Sequence, residues 1–480
     1  LSRNHAYRLI PLLFALYLIA LIVWKTALWL HLPLPTTDGV QSLSHTYSLL
    51  RGEPLLSSLW HNWMPIYQLP YGFGAAASVI LALLPFDTIN SYFAASLLFA
   101  LSGAAAAWLL LRSARGVDPL TSVIAALAVF VYPSLWTMRP EALTIPLLLL
   151  ALTLIARTQG QPPLRTILAC AFLVAFSGIA HPLAGLIGVI ALTAAGLERG
   201  WHLRALITVA AAVGAFAAAL YLPVILVDPD QWSRNFLGFF TREEPRGLSS
   251  LTSLDADALR FIGWGAPLVI LYGRALLIQA QRQPRRLLLE AALALLFTLP
   301  ILFGGGGSYF TYLILLMIWR LTRLPNVGRP RLALAAGLLL ILPFFSHYFP
   351  TFQQLENPRY GETARAVLAE IDRYSGRSEP GLVWTSVRLA LPIIDEPYAR
   401  VIANYYELGR YPEPIPIRSE DVLLSMWAVE LDTIFINYAL NPDTARVEII
   451  IEPVEGLLTF ESLLRARLPS LGLWRITAER

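Results

Sequence analysis

Cysteine occurs once, at Cys170, so the 480-residue chain can close no intrachain disulfide and build no cysteine-based metal centre. Cys170 sits inside an apolar run, where a lone thiol behaves as a small buried hydrophobe. Lysine also occurs once, at Lys25, so arginine supplies nearly all of the 36 basic residues. Charged residues make up only 14% of the chain, against about 25% in a soluble domain. That deficit excludes a disordered chain, a basic nucleic-acid binder and an ordinary cytosolic enzyme. There is no HExxH, no Walker A and no Gly-x-Ser-x-Gly sequence, which argues against a zinc protease, an ATP-driven pump and a serine hydrolase.

What the chain has instead is hydrocarbon. Apolar residues are 56% of it and the mean hydropathy is +0.59. Candidate spans are 9–30, 66–84, 89–111, 119–135, 141–157, 164–180, 182–197, 203–226, 259–279, 287–303, 308–320 and 331–349. Many are long enough to cross about 30 Å of hydrocarbon. Arg3 and Arg8 ahead of span 9–30, with no small-residue cleavage site, form the pattern of a signal anchor.

Basic short loops belong in the cytoplasm. The arginine-bearing loops are 112–116, 157–165, 199–204, 282–286 and 320–331. If all twelve spans crossed, these loops would face away from Arg3 and Arg8. Segment 66–84 carries Pro70, Gly72 and Gly74 and comes after an aromatic amphipathic stretch, so it is expected to lie in the interface. Eleven crossings remain, with the N-terminus inside and the C-terminus outside. The expected fold class is mainly α: a polytopic membrane protein of about 11 transmembrane helices with a small C-terminal α/β extracytoplasmic domain.

The chain divides into two regions. Residues 1–349 form the transmembrane domain, with a long first outer loop at 31–88 and a second at 227–258. Residues 350–480 hold 19 acidic and 13 basic residues, a net charge of −6, whereas the rest carries +10. This tail is soluble-like, with a helical stretch at 361–374 and β-like runs at 382–385, 433–437 and 447–451.

Polar groups at the outer boundary are the candidates for chemistry. Asp38, in TTDGVQ, opens the first outer loop, as a helix cap or as a functional carboxylate. Arg139 and Glu141, in TMRPEALTIP, break two apolar runs, and the acid suits a helix start as well as a site. His181-Pro182 splits the run 164–197, as a structural histidine or as a group that meets a phosphate or a sugar hydroxyl. With Asp38 and Glu141 it could form a carboxylate–histidine site for a divalent metal, although such an ion favours more oxygen ligands. Gly304–Gly307 is either a phosphate cradle or a turn, and it lacks the lysine of a P-loop. Arg234, Arg242 and Arg246 lie near Trp232, Phe236, Phe239 and Phe240, a combination suited to a lipid headgroup or lipid phosphate, or to interfacial anchoring alone.

The order of these features is more specific than any one of them. TTDGVQSLSHTYSLLRGEPL, MPIYQLPYGFGAAASVILALL, TMRPEALTIPLLLLAL and FSGIAHPLAGLIGVIAL resemble, in sequence order, stretches of the GT-C superfamily of integral membrane glycosyltransferases. That group contains protein O-mannosyltransferases and lipid A aminoarabinose transferases. The resemblance covers residues 1–200 best.

It implies a polyprenyl-phosphate sugar donor and a glycan, lipid or protein acceptor on the outer face of the cell's inner membrane, with no nucleic-acid partner. It implies Asp38 as general base and Glu141 as the acid of the second outer loop. His181 and an arginine of 227–258 would stabilise the departing phosphate. The chain has Asp38-Gly39 where many relatives have Asp-Glu, and no arginine within GGGGSYFTYLILL. These departures keep an alternative open: a non-catalytic GT-C-like scaffold subunit of a membrane or envelope assembly.

Overall fold

A computed structural model describes residues 46, 50, 71–86, 88–114, 117–130, 132, 135, 138–158, 160–227, 229, 233, 250–303, 307–323 and five strands between 383 and 478. Ten helices are described: α1 Tyr71–Leu83, α2 Thr88–Ser113, α3 Pro119–Phe130, α4 Pro140–Arg157, α5 Leu164–Ala180, α6 Pro182–Glu198, α7 Leu203–Val227, α8 Ser250–Arg282, α9 Arg286–Phe303 and α10 Leu313–Leu321. A 3₁₀ turn, Gly307–Tyr312, runs directly into α10. Spans 9–30 and 331–349 lie outside the described residues.

Hydropathy placed most helices within a residue or two of their ends. Three differences bear on the reading. Within span 119–135 the described helix is Pro119–Phe130. Part of the expected loop 227–258 is helix, because α8 starts at Ser250 with Leu251, Leu254 and Ala258 in helical spacing. Arg320, read as the first residue of a basic loop, lies inside α10 and is buried.

Three described helices, over Ser91–Ser113, Pro140–Arg157 and Leu203–Pro223, are long and apolar enough to cross a membrane. They differ in what covers them. The α4 window is 61% buried within the protein, whereas the α7 window is 6% buried. Leu203, Ile207, Leu222 and Leu226 of α7 are exposed, as are Leu164, Leu277, Leu288 and Leu295 of other helices. A greasy exterior of this extent suits lipid as solvent and would associate in water.

The described residues fall into two compact units. One holds Leu69–Ala76 and Ala94–Tyr348, the other Ala77–Phe93 and Phe349–Arg480. In the first, α4, α5 and α6 pack on one another, α7 lies on α5, and α10 packs on α8. The α5–α6 hairpin turns at His181, whose backbone is extended (φ −158°, ψ 116°). Pro182 dictates this: the residue before a proline is driven out of the helical region, while proline suits the first turn of the next helix. A Cβ on Gly185 would stand 2.7 Å from the Gly178 Cα, so the two helices touch backbone to backbone beside the corner. Gly72 of α1 meets Ile179 and Ala180 there, where a Cβ would stand 2.9 Å from the isoleucine side chain.

The second unit carries a mixed sheet in the order β2-β1-β3-β5-β4, built from β1 Val383–Thr385, β2 Val401–Ala403, β3 Val422–Ser425, β4 Ala445–Ile451 and β5 Gly472–Ala478. β1 is parallel to β2 and β3, and β5 is antiparallel to β3 and β4. Runs 382–385 and 447–451 coincide with strands, and three further strands were not anticipated. Segments 361–374 and 433–437 lie outside the described residues.

Candidate functional site

The site assembles where α4 begins, α5 gives way to α6, and the 3₁₀ turn enters α10. Pro140 occupies the first turn of α4 behind Arg139, which caps it through backbone alone. Glu141 therefore sits on the positive end of the helix, 1% exposed, yet makes no capping bond. Its Oε1 accepts a bond from Arg139 Nη2 at 3.1 Å. Its Oε2 is buried and accepts no hydrogen bond. Leaving a buried carboxylate oxygen unengaged costs free energy, which makes this group a candidate for completion by a ligand or an ordered water.

One helical turn on, Thr144 lies on the same face of α4 as Glu141. Its hydroxyl is 3.1 Å from the hydroxyl of Tyr312. The Tyr312 ring in turn stacks on His181, with centroids 6.1 Å apart and planes 29° from parallel. Tyr312 thus joins the helix of Glu141 to the corner of His181. The preceding residue makes a matching link: the Thr311 side chain is hydrogen-bonded to Tyr132, which lies close enough to Glu141 and Arg139 to feel both charges. Thr144, Tyr132, His181, Thr311 and Tyr312 are all buried. The result is a polar patch, rich in hydroxyls, with one carboxylate oxygen unengaged.

Among the sequence candidates, Arg139 and Glu141 are brought together as an ion pair, and Tyr312 links their helix to His181. Asp38, Arg234, Arg242 and Arg246 lie outside the described residues. Among the described residues no three His, Cys, Asp or Glu side chains converge as a metal-ligating group. Of the glycine run 304–307, only Gly307 is among the described residues, and it opens the 3₁₀ turn that carries Thr311 and Tyr312. Sequence reasoning singled out that run and passed over the two hydroxyls beside it. Thr144 and Tyr132 were also missed. Thr144 carried a signal, its three-residue spacing from Glu141.

Charge is handled otherwise at the far end of the same helices. Arg320 Nε donates to both oxygens of Glu290, at 3.1 and 2.9 Å, and its Nη2 also binds that carboxylate. Its Nη1 donates to Glu198 at 2.5 Å. Tyr272 donates to Glu290 at 3.4 Å. Cys170 is buried as expected, its thiol 3.6 Å from the Ala151 carbonyl.

No protein-family model matches the chain, and no curated protein sequence does. A solved structure does match: ArnT from Cupriavidus metallidurans, determined bound to undecaprenyl phosphate, at 12% sequence identity and a TM-score of 0.57. The match covers 96% of this chain and 97% of that one. The chain therefore has an ArnT-like polytopic fold, and its long apolar helices are those of a multi-pass membrane protein.

Proposed function

We propose that the protein transfers a sugar from a polyprenyl-phosphate donor to an acceptor hydroxyl at the outer face of the cell's inner membrane, with inversion at the anomeric carbon. The observation that carries this reading is the buried, unengaged Oε2 of Glu141 within a hydroxyl-rich patch, on a fold like that of an undecaprenyl-phosphate-binding protein.

Asp38 is the general base. Its carboxylate takes the proton of the acceptor hydroxyl as that oxygen attacks the anomeric carbon. The bond from that carbon to the phosphate oxygen breaks, and the polyprenyl phosphate leaves with the electron pair. Proton transfer need only develop in the transition state, so a carboxylate serves. Glu141 Oε2 accepts a hydrogen bond from a sugar or acceptor hydroxyl and fixes its orientation. Arg139 Nη2, 3.1 Å from Glu141 Oε1, keeps that carboxylate aimed. His181 and an arginine of 227–258, from among Arg234, Arg242 and Arg246, meet the departing phosphate, where fixed donors act on charge as it develops. The acceptor is a glycan, a lipid or a protein.

In this reading eleven helices cross. The N-terminus is cytoplasmic, and residues 350–480 form an extracytoplasmic α/β domain containing the sheet. The test is Asp38→Asn in protein whose expression and thermal midpoint match wild type. Transfer should fall at least about 100-fold. Full activity in that variant removes the base and with it the mechanism.

A non-catalytic scaffold is the second reading, favoured by Asp38-Gly39 and by the lack of arginine in GGGGSYFTYLILL. Purified protein that neither binds nor consumes a polyprenyl-phosphate sugar supports it. Saturable binding with turnover excludes it.

A further inference from the structure

The charge network around Arg320 ends in an unbalanced corner. Arg320 occupies both oxygens of Glu290 and one oxygen of Glu198. The other Glu198 oxygen, Oε2, makes no hydrogen bond, although Arg323 Nε stands 3.7 Å from it. Arg199, the C-cap of α6, adds a third guanidinium, whose Nε is buried without a hydrogen-bond partner. Three cations therefore face two carboxylates, an excess of one positive charge. Burial and the neighbouring Arg323 hold the Arg199 pKa below the usual arginine value, against the pull of Glu198.

The corner is built and still open. Gly200, at φ +77°, turns the chain just after Arg199, a conformation that suits glycine. Gln161 clamps that turn from the α4–α5 loop, donating to the Gly200 carbonyl at 2.9 Å and accepting from His202 N at 3.1 Å. The Arg323 side chain keeps 29% of its exposure, so an anion can reach it. Leu197 and Leu203, on either side of the turn, are exposed apolar side chains. Guanidinium groups with an excess of one positive charge, edged by exposed leucine, match a monoanionic phosphodiester that carries acyl chains.

We propose that the corner between Arg199 and Arg323 is a binding site for the phosphodiester headgroup of an anionic membrane phospholipid. This rests on the multi-pass membrane reading and is independent of the sugar-transfer reaction. A generic basic surface would attract such lipids too, so the test must separate a site from a surface.

Full-length protein is purified in neutral detergent and titrated with phosphatidylglycerol or phosphatidylcholine. Native mass spectrometry counts retained lipid, and a thermal-shift assay reads stabilisation. The expected result is one phosphatidylglycerol retained per chain, with a raised midpoint, and no such response to phosphatidylcholine. Retention should fall about tenfold in Arg199→Gln/Arg323→Gln and be unchanged in Arg285→Gln/Arg286→Gln, a control of equal charge loss.

Arg323→Gln alone leaves every Arg320 bond in place, so it should fold even if the double variant does not, and it should weaken retention several-fold. Equal losses in the test and control variants would reduce the corner to non-specific attraction and overturn the proposal. Stabilisation by millimolar inorganic phosphate equal to that by the lipid would overturn it as well, in favour of a free-anion site.

Discussion

Helix α6 begins at one polar cluster and ends at another, and the central groups of the two differ in how far their charge is matched. At its start, His181 stacks on Tyr312, near a carboxylate with one oxygen unengaged. At its end, some 25 Å away by helix geometry, Glu198 joins Glu290 around Arg320. The 3₁₀ turn and α10 span both ends too, from Tyr312 to Arg320. Buried charges that satisfy one another hold helices together, and breaking such a set leaves an uncompensated charge. Buried polar groups that stay unsatisfied cost stability and persist where a ligand completes them. The difference sets the bonds around Arg320, which hold helices together, against the end where the proposed transfer would take place.

Breaking the holding end should give the largest effect on stability. Arg320→Met strands Glu290, which is 4% exposed, and should lower stability by about 3–5 kcal/mol in thermal or denaturant unfolding. Adding Glu290→Leu should recover much of that loss. A fully stable Arg320→Met protein would show that the network is not structural.

A smaller effect is expected at the corner beneath the site. Gly185→Ala sets a Cβ against the Gly178 backbone and should cost about 1–3 kcal/mol in the same unfolding assay, with a matching fall in transfer rate. Gly214→Ala in α7, where nothing lies within 4 Å of the added Cβ, is the contrast: it should be neutral or stabilising by about 0.5–1 kcal/mol.

The finest test concerns the hydroxyl pair that ties the 3₁₀ turn to α4. A double-mutant cycle of Tyr312→Phe and Thr144→Val should return a coupling of about 1 kcal/mol in the transfer rate. Additive losses would mean that the pair does not position the site.

The sequence made some of this legible. Helices announced themselves as long apolar runs, and the α5–α6 corner was readable because proline restricts its predecessor. Arg139 and Glu141 stood out as a polar break between two spans. The Arg320 network did not, because its partners lie 30 and 122 residues away and no periodicity encodes such pairing. Arg320 looked like the first residue of a basic loop, and Glu290, inside span 287–303, was not singled out. The Tyr312 hydroxyl was hidden for a related reason. It comes after a glycine run that drew attention to backbone, while its partner, Thr144, stands 168 residues earlier. β1 and β4 showed as β-branched runs. β2, β3 and β5 were not singled out, and length is not the reason, since β1 has three residues and β5 has seven, opening at Gly472 and carrying Arg475 mid-strand.

The most direct measurement sets Glu141→Gln beside wild type, reading transfer of a polyprenyl-phosphate sugar together with the thermal midpoint. If the unengaged oxygen serves substrate, the rate falls about 100-fold or more while the midpoint holds or rises, because a buried charge without a full set of partners has been removed. A variant that keeps the wild-type rate and loses stability would place Glu141 among the groups that hold the fold and contradict the assignment of this end as the site of transfer.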